Sequence, residues 1–406
     1  MPQQTHVIVG ASLAGASAAA ALRKRGFDGR IVLIGDEPHL PYERPELSKK
    51  YLRGEVETPV IVHDEAFYAD SAIELLRGRR VTGLDLDARR VIIDAETIRF
   101  DRLLVGTGAS PRPLGVPGED LPGVHRLRTL EDADAIREAA ARASGAVVVG
   151  GGWIGSEVAA SLRQLGLDVA VVSLTPTPLE HVLGAEIGAI YRETHEGHGV
   201  RFVTGSRVRR ILGTDRATGV ETDDGRRIEA DLVIVGVGAD PRTDLAVAAG
   251  LEVRNGIVVG ANLETGAPGV FAAGDVANAW HPFYRRHLRV EHWDNAKRQG
   301  RAAAASMLGE PTSYDRIPYF YSDQYELGME YTGHALHWDE VVIRGDREAR
   351  ELIAFWLSGG RVVAGMNMNV WDVAPAIERL VRSRSAIDRD RLADPDAPLE
   401  ALAPAA

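Results

Sequence analysis

Two stretches of this chain repeat one pattern, and no other feature restricts its fold as tightly. The first is Val7-Ile8-Val9-Gly10-Ala11-Ser12-Leu13-Ala14-Gly15-Ala16-Ser17-Ala18-Ala19; the second is Ala146-Val147-Val148-Val149-Gly150-Gly151-Gly152-Trp153-Ile154-Gly155-Ser156-Glu157-Val158-Ala159. In each, a β-branched run meets a glycine turn and then the small-residue start of a helix, which is the opening of a dinucleotide-binding βαβ unit. Gly10 lets the chain turn sharply off the strand, Gly15 and Ala19 let the helix pack close to the sheet, and the free N–H groups of the helix start face a pyrophosphate. Ser12 replaces the middle glycine of the first loop, with Leu13 and Ala14 opening its helix. The second loop keeps Gly150, Gly152 and Gly155, with Trp153 and Ile154 between the last two.

Two such loops imply two dinucleotides, and the usual reason for bringing two together is hydride transfer. The 406 residues suffice for two or three domains. A net charge of −11 argues against nucleic acid or an anionic membrane as the bulk partner. No apolar run reaches membrane-spanning length and the first strand begins within a few residues of Met1, so a cytoplasmic protein is expected. The chain has no cysteine. Disulfide, mercuric and peroxide reduction through a thiol, and any Cys-ligated metal or cluster on this chain, are thereby excluded. No metal site is expected, and electrons must leave directly for an external acceptor.

The strand Arg30-Ile31-Val32-Leu33-Ile34 ends in Gly35-Asp36-Glu37, acids placed to accept from an adenosine ribose. The equivalent strand of the second unit ends in Ser173, so the ribose acid is absent there. Leu174-Thr175-Pro176-Thr177-Pro178-Leu179 holds no Arg or Lys for a 2′-phosphate either, which leans the second site to NADH over NADPH. Pro41-Tyr42-Glu43-Arg44-Pro45-Glu46-Leu47-Ser48-Lys49-Lys50 reads as a proline-punctuated loop running into a helix, with Lys49 and Lys50 a solvated pair on the residues alone.

Gly35-Asp36-Glu37, Pro41 to Pro45 and Leu47-Ser48-Lys49 together closely resemble the FAD-binding segment of the FAD-dependent NAD(P)H:ferredoxin reductases, the putidaredoxin reductase and biphenyl dioxygenase ferredoxin reductase family. The resemblance continues through the Gly-Thr-Gly turn at Thr107 and Gly108, Leu127-Arg128-Thr129, the return strand ending near Gly238, and Gly269-Val270-Phe271-Ala272-Ala273-Gly274-Asp275. It implies FAD contacts at Arg44, Val81, Arg128, Gly274, Asp275, Glu291, His292 and Trp293, with Asp275 accepting from the ribityl chain. It also implies that Lys49 lies near the flavin N5 and that Glu157 lies by the nicotinamide and pairs with Lys49. On the residues alone Glu157 is equally a helix N-terminal acid favoured by the macrodipole. The chain departs from the family at Glu46, where a second proline is usual, and at Tyr319 and Tyr321, which flank Phe320 where tryptophans are common.

The fold implied is α/β of glutathione-reductase-like architecture, with two Rossmann-like domains and a C-terminal α+β domain. The boundaries expected are 1–114 with 245–317 for FAD, 115–244 for NAD(P)H, and 318–406 for the last domain. Its strands are expected near Gln324–Tyr331, Glu340–Arg344, Glu351–Leu357 and Arg361–Asn367, with a helix near Ala374–Val381. The implied activity is electron transfer from NAD(P)H through FAD to a [2Fe–2S] ferredoxin that serves a cytochrome P450 or a ring-hydroxylating dioxygenase. Reduction of a quinone or ascorbate-type radical, or redox sensing of the apoptosis-inducing-factor kind, are the alternatives. Arg285, Arg286 and Arg289 form a basic island on an acidic chain, either a solvated face or a dock for an acidic ferredoxin.

Overall fold

Strands buried on both faces read as continuous apolar runs, and such runs belong to parallel sheets covered by helices. The computed structural model describes residues 4–402 and shows two of these sheets. The described residues group into two units, the first formed by residues up to Arg44 with Pro59–Ser110 and Ala239–Arg316, the second by Pro45–Thr58, Pro111–Gly238 and the chain from Ile317.

In the first unit five strands run in the order Val270–Ala272, Arg102–Val105, Thr5–Val9, Arg30–Ile34, Ile73–Leu76. All four pairings are parallel, and the central register sets Val7 against Val32 on one side and Leu103 on the other. Val7, Ile8, Ile31, Val32, Leu33, Leu103, Leu104 and Val105 are fully buried. Helix Leu13–Lys24 crosses from the first strand to the second and packs on helix Trp293–Met307. The approach is close because the facing residues are small: a Cβ on Gly300 would stand 2.2 Å from the carbonyl oxygen of Ala14. Strands Val81–Asp85, Arg90–Ile93 and Glu96–Arg99 form a separate antiparallel sheet.

The second unit repeats the device. Its parallel sheet runs Arg201–Thr204, Asp168–Ser173, Gly145–Val149, Leu232–Val235, Val124–His125, with helix Trp153–Gln164 after the central strand. The C-terminal part is a five-stranded antiparallel sheet in the order Tyr319–Gln324, Leu327–Gly333, Arg361–Met368, Glu351–Ser358, Glu340–Asp346, and helix Ala374–Ser383 packs against it.

Two expectations change. The strand expected over Gln324–Tyr331 is the junction of two strands, because Tyr325 takes a left-handed φ of 54° and turns the chain into a hairpin that pairs Gln324 with Leu327. The helix expected around Lys49 is only a 3₁₀ stretch, Arg44–Ser48. There the Lys49 and Tyr51 amides both donate to the Glu46 carbonyl, and Gly54 closes the segment at a φ of 72°. Among the described residues no helix is long and apolar enough to cross a membrane.

Candidate functional site

The first glycine loop opens into a cavity of about 520 Å³ in the first unit. Gly10 has a φ of 117°, and a Cβ there would lie 2.1 Å from the Gly106 carbonyl oxygen. Gly15 is equally constrained, its Cβ position falling 2.1 Å from the Gly10 oxygen. Glycine is required at both points, and the chain that results presents the N-terminus of helix Leu13–Lys24 to the cavity. Ser12 caps that helix in an extended conformation and its hydroxyl makes no bond to the helix N–H groups, which leaves them available to an anion. Leu13 and Ala14 are buried beneath it.

The cavity wall carries charges of both signs. Asp36 lies 3.3 Å from Arg242; Glu37 accepts from the Tyr42 hydroxyl at 2.5 Å and pairs with Arg44. Arg79, Arg80, Val81 and Thr107 also line it, and the Thr107 hydroxyl donates to the Arg242 carbonyl at 2.8 Å. A helix N-terminus with arginines for a diphosphate and two carboxylates for ribose hydroxyls is the donor and acceptor set that the adenosine–diphosphate half of FAD requires. Arg79, Arg80 and Arg242 were not singled out from sequence, since charged residues at strand ends look alike until the sheet aligns them.

Apart from Arg128, which falls in the second unit, the remaining expected FAD residues lie on three segments of this unit. Gly108, at a φ of 70°, follows Thr107, and its carbonyl accepts from the Arg242 amide at 2.9 Å. Gly274 has a φ of 79° and its amide donates to Gln299 at 2.9 Å. The Asp275 carbonyl accepts from Arg289 at 3.4 Å, and Arg289 is ion-paired with Glu291. His292 precedes helix Trp293–Met307, and the Lys297 ammonium stands 4.3 Å from the centre of the Trp293 ring. Within the basic island, Arg285 and Arg286 are exposed, whereas the Arg289 side chain is only 12% exposed and is committed to Glu291 and Asn255.

In the second unit Gly150 repeats Gly10: its φ is 111° and its Cβ would stand 2.3 Å from the Gly236 oxygen. Gly155 likewise meets the Gly150 oxygen at 2.1 Å. Gly152 caps helix Trp153–Gln164, with no atom within 4 Å of its Cβ position. Ile154 is exposed, and the Trp153 ring packs edge-on against Phe320 at 4.9 Å. Ser173 ends its strand with its hydroxyl 3.2 Å from that of Thr175. Glu180, the first residue of helix Glu180–Gly197, accepts from both the amide and the hydroxyl of Thr177, at 3.1 and 2.9 Å, and so sets an acid beside the loop after Ser173. Gly238 has a φ of 109° with the Arg112 guanidinium 3.5 Å from its Cβ position, and the Arg128 amide donates to Asp132 at 2.9 Å.

The same unit brings Lys49 and Glu157 together. Their charged atoms are 2.9 Å apart, with side chains 7% and 5% exposed. Lys49 is therefore not a solvated lysine, and Glu157, a full turn inside its helix, is not a terminal acid. Glu157 accepts from the Ser48 hydroxyl at 2.5 Å on one oxygen and from the Ser322 hydroxyl at 2.7 Å on the other, while Lys49 also donates to the Pro45 carbonyl at 3.0 Å. The Lys49 ammonium lies 6.0 Å from the Tyr321 ring centre. Burial lifts the neighbouring Asp323 carboxyl above the ordinary carboxylate range, with Lys49 and Glu157 acting on it in opposite senses. Among the described residues no cluster of His, Cys, Asp or Glu is arranged to hold a metal ion.

Two nucleotide loops on parallel sheets, with a buried ion pair beside the second, define an oxidoreductase of the two-dinucleotide class. The chain belongs to the pyridine nucleotide-disulphide oxidoreductase family, whose model matches residues 4–300, and it carries the reductase C-terminal domain over residues 319–403. It is 38% identical to rhodocoxin reductase of Rhodococcus erythropolis over 96% of this chain and 92% of that one. It is 37% identical to the biphenyl dioxygenase system ferredoxin–NAD(+) reductase component of Paraburkholderia xenovorans over 96% of each chain. The crystal structure of the covalent putidaredoxin reductase–putidaredoxin complex matches with a TM-score of 0.93 at 35% identity, covering 98% of both chains. The family takes its name from disulfide chemistry, yet this member, without a single cysteine, has none to perform.

Proposed function

We propose that this protein passes electrons from NADH, in preference to NADPH, through FAD to a [2Fe–2S] ferredoxin that supplies a cytochrome P450 or a ring-hydroxylating dioxygenase. The observation that carries this reading is the buried Lys49–Glu157 pair in the unit of the second glycine loop, in a chain without cysteine. The names of the relatives, with a ferredoxin–NAD(+) reductase and a reductase–putidaredoxin complex among them, support the choice of acceptor. When bound, FAD supplies the conversion of a two-electron hydride donor into a source of single electrons.

The chain's own residues divide the remaining work. The helix starts at Ser12 and Gly152 bind the two diphosphates, with Asp36 and Glu37 at the first ribose. Ser173 and Thr175 offer hydroxyls and Glu180 a negative charge to the second ribose, which disfavours a 2′-phosphate there. Lys49 holds a positive charge, fixed by Glu157 and Pro45, out of water, where a charge acts more strongly than in solvent. Neither residue is a nucleophile. Arg285 and Arg286 steer an acidic ferredoxin, with Arg289 positioning the hairpin they stand on.

Anaerobic stopped-flow reduction with NADH and with NADPH, followed by mixing with a [2Fe–2S] ferredoxin, tests the reading. Fast bleaching of the flavin by NADH and then fast cluster reduction are expected, and Lys49→Ala retains the flavin while slowing the bleaching. Fast bleaching without ferredoxin reduction refutes the acceptor, and wild-type bleaching in Lys49→Ala refutes the role of the lysine.

A further inference from the structure

Strand Tyr319–Gln324 alternates, so Phe320, Ser322 and Gln324 share its buried face. Helix Trp153–Gln164 presents Trp153 and Glu157 one turn apart, and the two faces meet with Trp153 on Phe320 and Glu157 on Ser322. Past that contact the polar chain goes on. Gln324 donates its amide N–H to the Ser322 oxygen at 3.2 Å, and the Gln324 carbonyl oxygen lies 2.8 Å from Nε2 of His195, on helix Glu180–Gly197. Ser322 and Gln324 are 2% exposed and His195 is 1% exposed.

The chain has a direction. Nδ1 of His195 is buried and finds no partner. A buried N–H without an acceptor is costlier than a bare lone pair, so the ring proton belongs on Nε2, donating to Gln324. That bond sets the Gln324 amide with its NH₂ toward Ser322, and the filled lone pair on Ser322 leaves its single hydrogen for Glu157. If the ring proton moved to Nδ1, Gln324 would turn over, Ser322 would donate to it instead, and Glu157 would lose a donor. Burial also pushes the His195 pKa down to about 4, which keeps the ring neutral at ordinary pH. The charged and titratable groups around it are His198 and Glu326, paired with each other at 2.9 Å, and Tyr325, stacked on His198.

We propose that Ser322, Gln324 and His195 are positioning residues, a one-way hydrogen-bond chain that holds the Glu157 carboxylate aimed at Lys49. This rests on the roles proposed for Lys49 and Glu157 in electron transfer. The test uses the complete flavin-loaded protein and includes a reading independent of turnover. In protein labelled with 15N-histidine, the ring assigned to His195 by its loss in His195→Gln carries its proton on Nε2 and stays neutral at about pH 5.5, a full unit below the ordinary histidine pKa. A ring protonated on Nδ1, or one that titrates at the ordinary value, overturns the proposal.

In stopped-flow reduction by NADH, Ser322→Ala and His195→Phe each lower the limiting rate about tenfold without changing the half-saturating NADH concentration. His195→Gln, which keeps an N–H for Gln324, stays within about twofold of wild type. Wild-type rates in both disruptive variants overturn the chain, and so does equal loss in His195→Gln and His195→Phe, because a packing role would not distinguish a donor from a ring. Should His195→Phe not fold, Gln324→Glu replaces it: the carboxylate can only accept, draws the Ser322 hydrogen away, and produces the same loss, whereas a wild-type rate overturns the proposal. If the unaltered protein is not reduced by NADH, the assignment of Lys49 and Glu157 fails, and the tautomer still decides whether the chain exists.

Discussion

Replacing Lys49 by Met removes a charge while nearly keeping the side-chain volume, so the loss it causes is mainly electrostatic. The Glu157 carboxylate would remain 5% exposed and lose a cation 2.9 Å away. Removing one partner of a buried pair costs about 3–5 kcal/mol, most of it the penalty of the charge left behind. Here the Ser48 and Ser322 hydroxyls still donate to the carboxylate, which places the expected loss at the lower end, about 3 kcal/mol. Urea unfolding at neutral pH measures it. With a slope of about 3 kcal/mol per molar, the midpoint of the affected transition moves down by about 1 M. Adding Glu157→Gln removes the stranded charge, so the double variant recovers at least half of the loss. A loss below about 1 kcal/mol in Lys49→Met, or a double variant that falls by the sum of the two single changes, would refute the argument that the pair is buried and mutually dependent.

Three further outcomes are expected. Gly10→Ala yields a protein that loses its flavin on purification, since the new methyl group meets the Gly106 carbonyl at 2.1 Å, whereas Gly150→Ala stays yellow but is no longer reduced at ordinary NADH concentrations; absorbance spectra and titration separate the two. His6, buried and stacked on Phe27 at 3.9 Å, has its pKa lowered to about 4, mainly by burial. The unfolded chain therefore binds the extra proton between about pH 6.5 and 4, so this contribution, about 3 kcal/mol, is complete above pH 6.5 and is lost as the pH falls through that window; urea titrations of His6→Leu show a correspondingly flatter pH dependence. Arg285→Ala with Arg286→Ala weakens ferredoxin reduction at low salt and converges with wild type at high salt, while Arg289→Ala, which breaks a bond to Glu291, lowers activity at both; rates across a salt series distinguish them.

The elements most legible in sequence are those whose causes are local. A glycine forced to a φ above 110° at Gly10 and at Gly150, a β-branched run before it and small residues after it are neighbours in the chain, so both loops and both parallel sheets could be anticipated. Turns were less so. Nothing in Gln324-Tyr325-Glu326 announces a two-residue hairpin, because its left-handed residue is a tyrosine rather than a glycine or asparagine. Arg285, Arg286 and Arg289 looked alike as a run, yet the fold turns one of them inward to a carboxylate.

By itself the sequence pointed to two dinucleotide loops and closed off thiol chemistry, and its resemblance to the ferredoxin reductases singled out Lys49 and Glu157 as a pair. Only the tertiary structure decided what surrounds that pair. Ser48, His195 and the Ser322–Gln324 strand come from three separate segments, and their partnership depends on which face of strand Tyr319–Gln324 meets which turn of helix Trp153–Gln164. Such a contact has no local signature. A serine and a glutamine two residues apart are ordinary on any strand, and they become part of a site when packing removes water and leaves each polar group one partner to find.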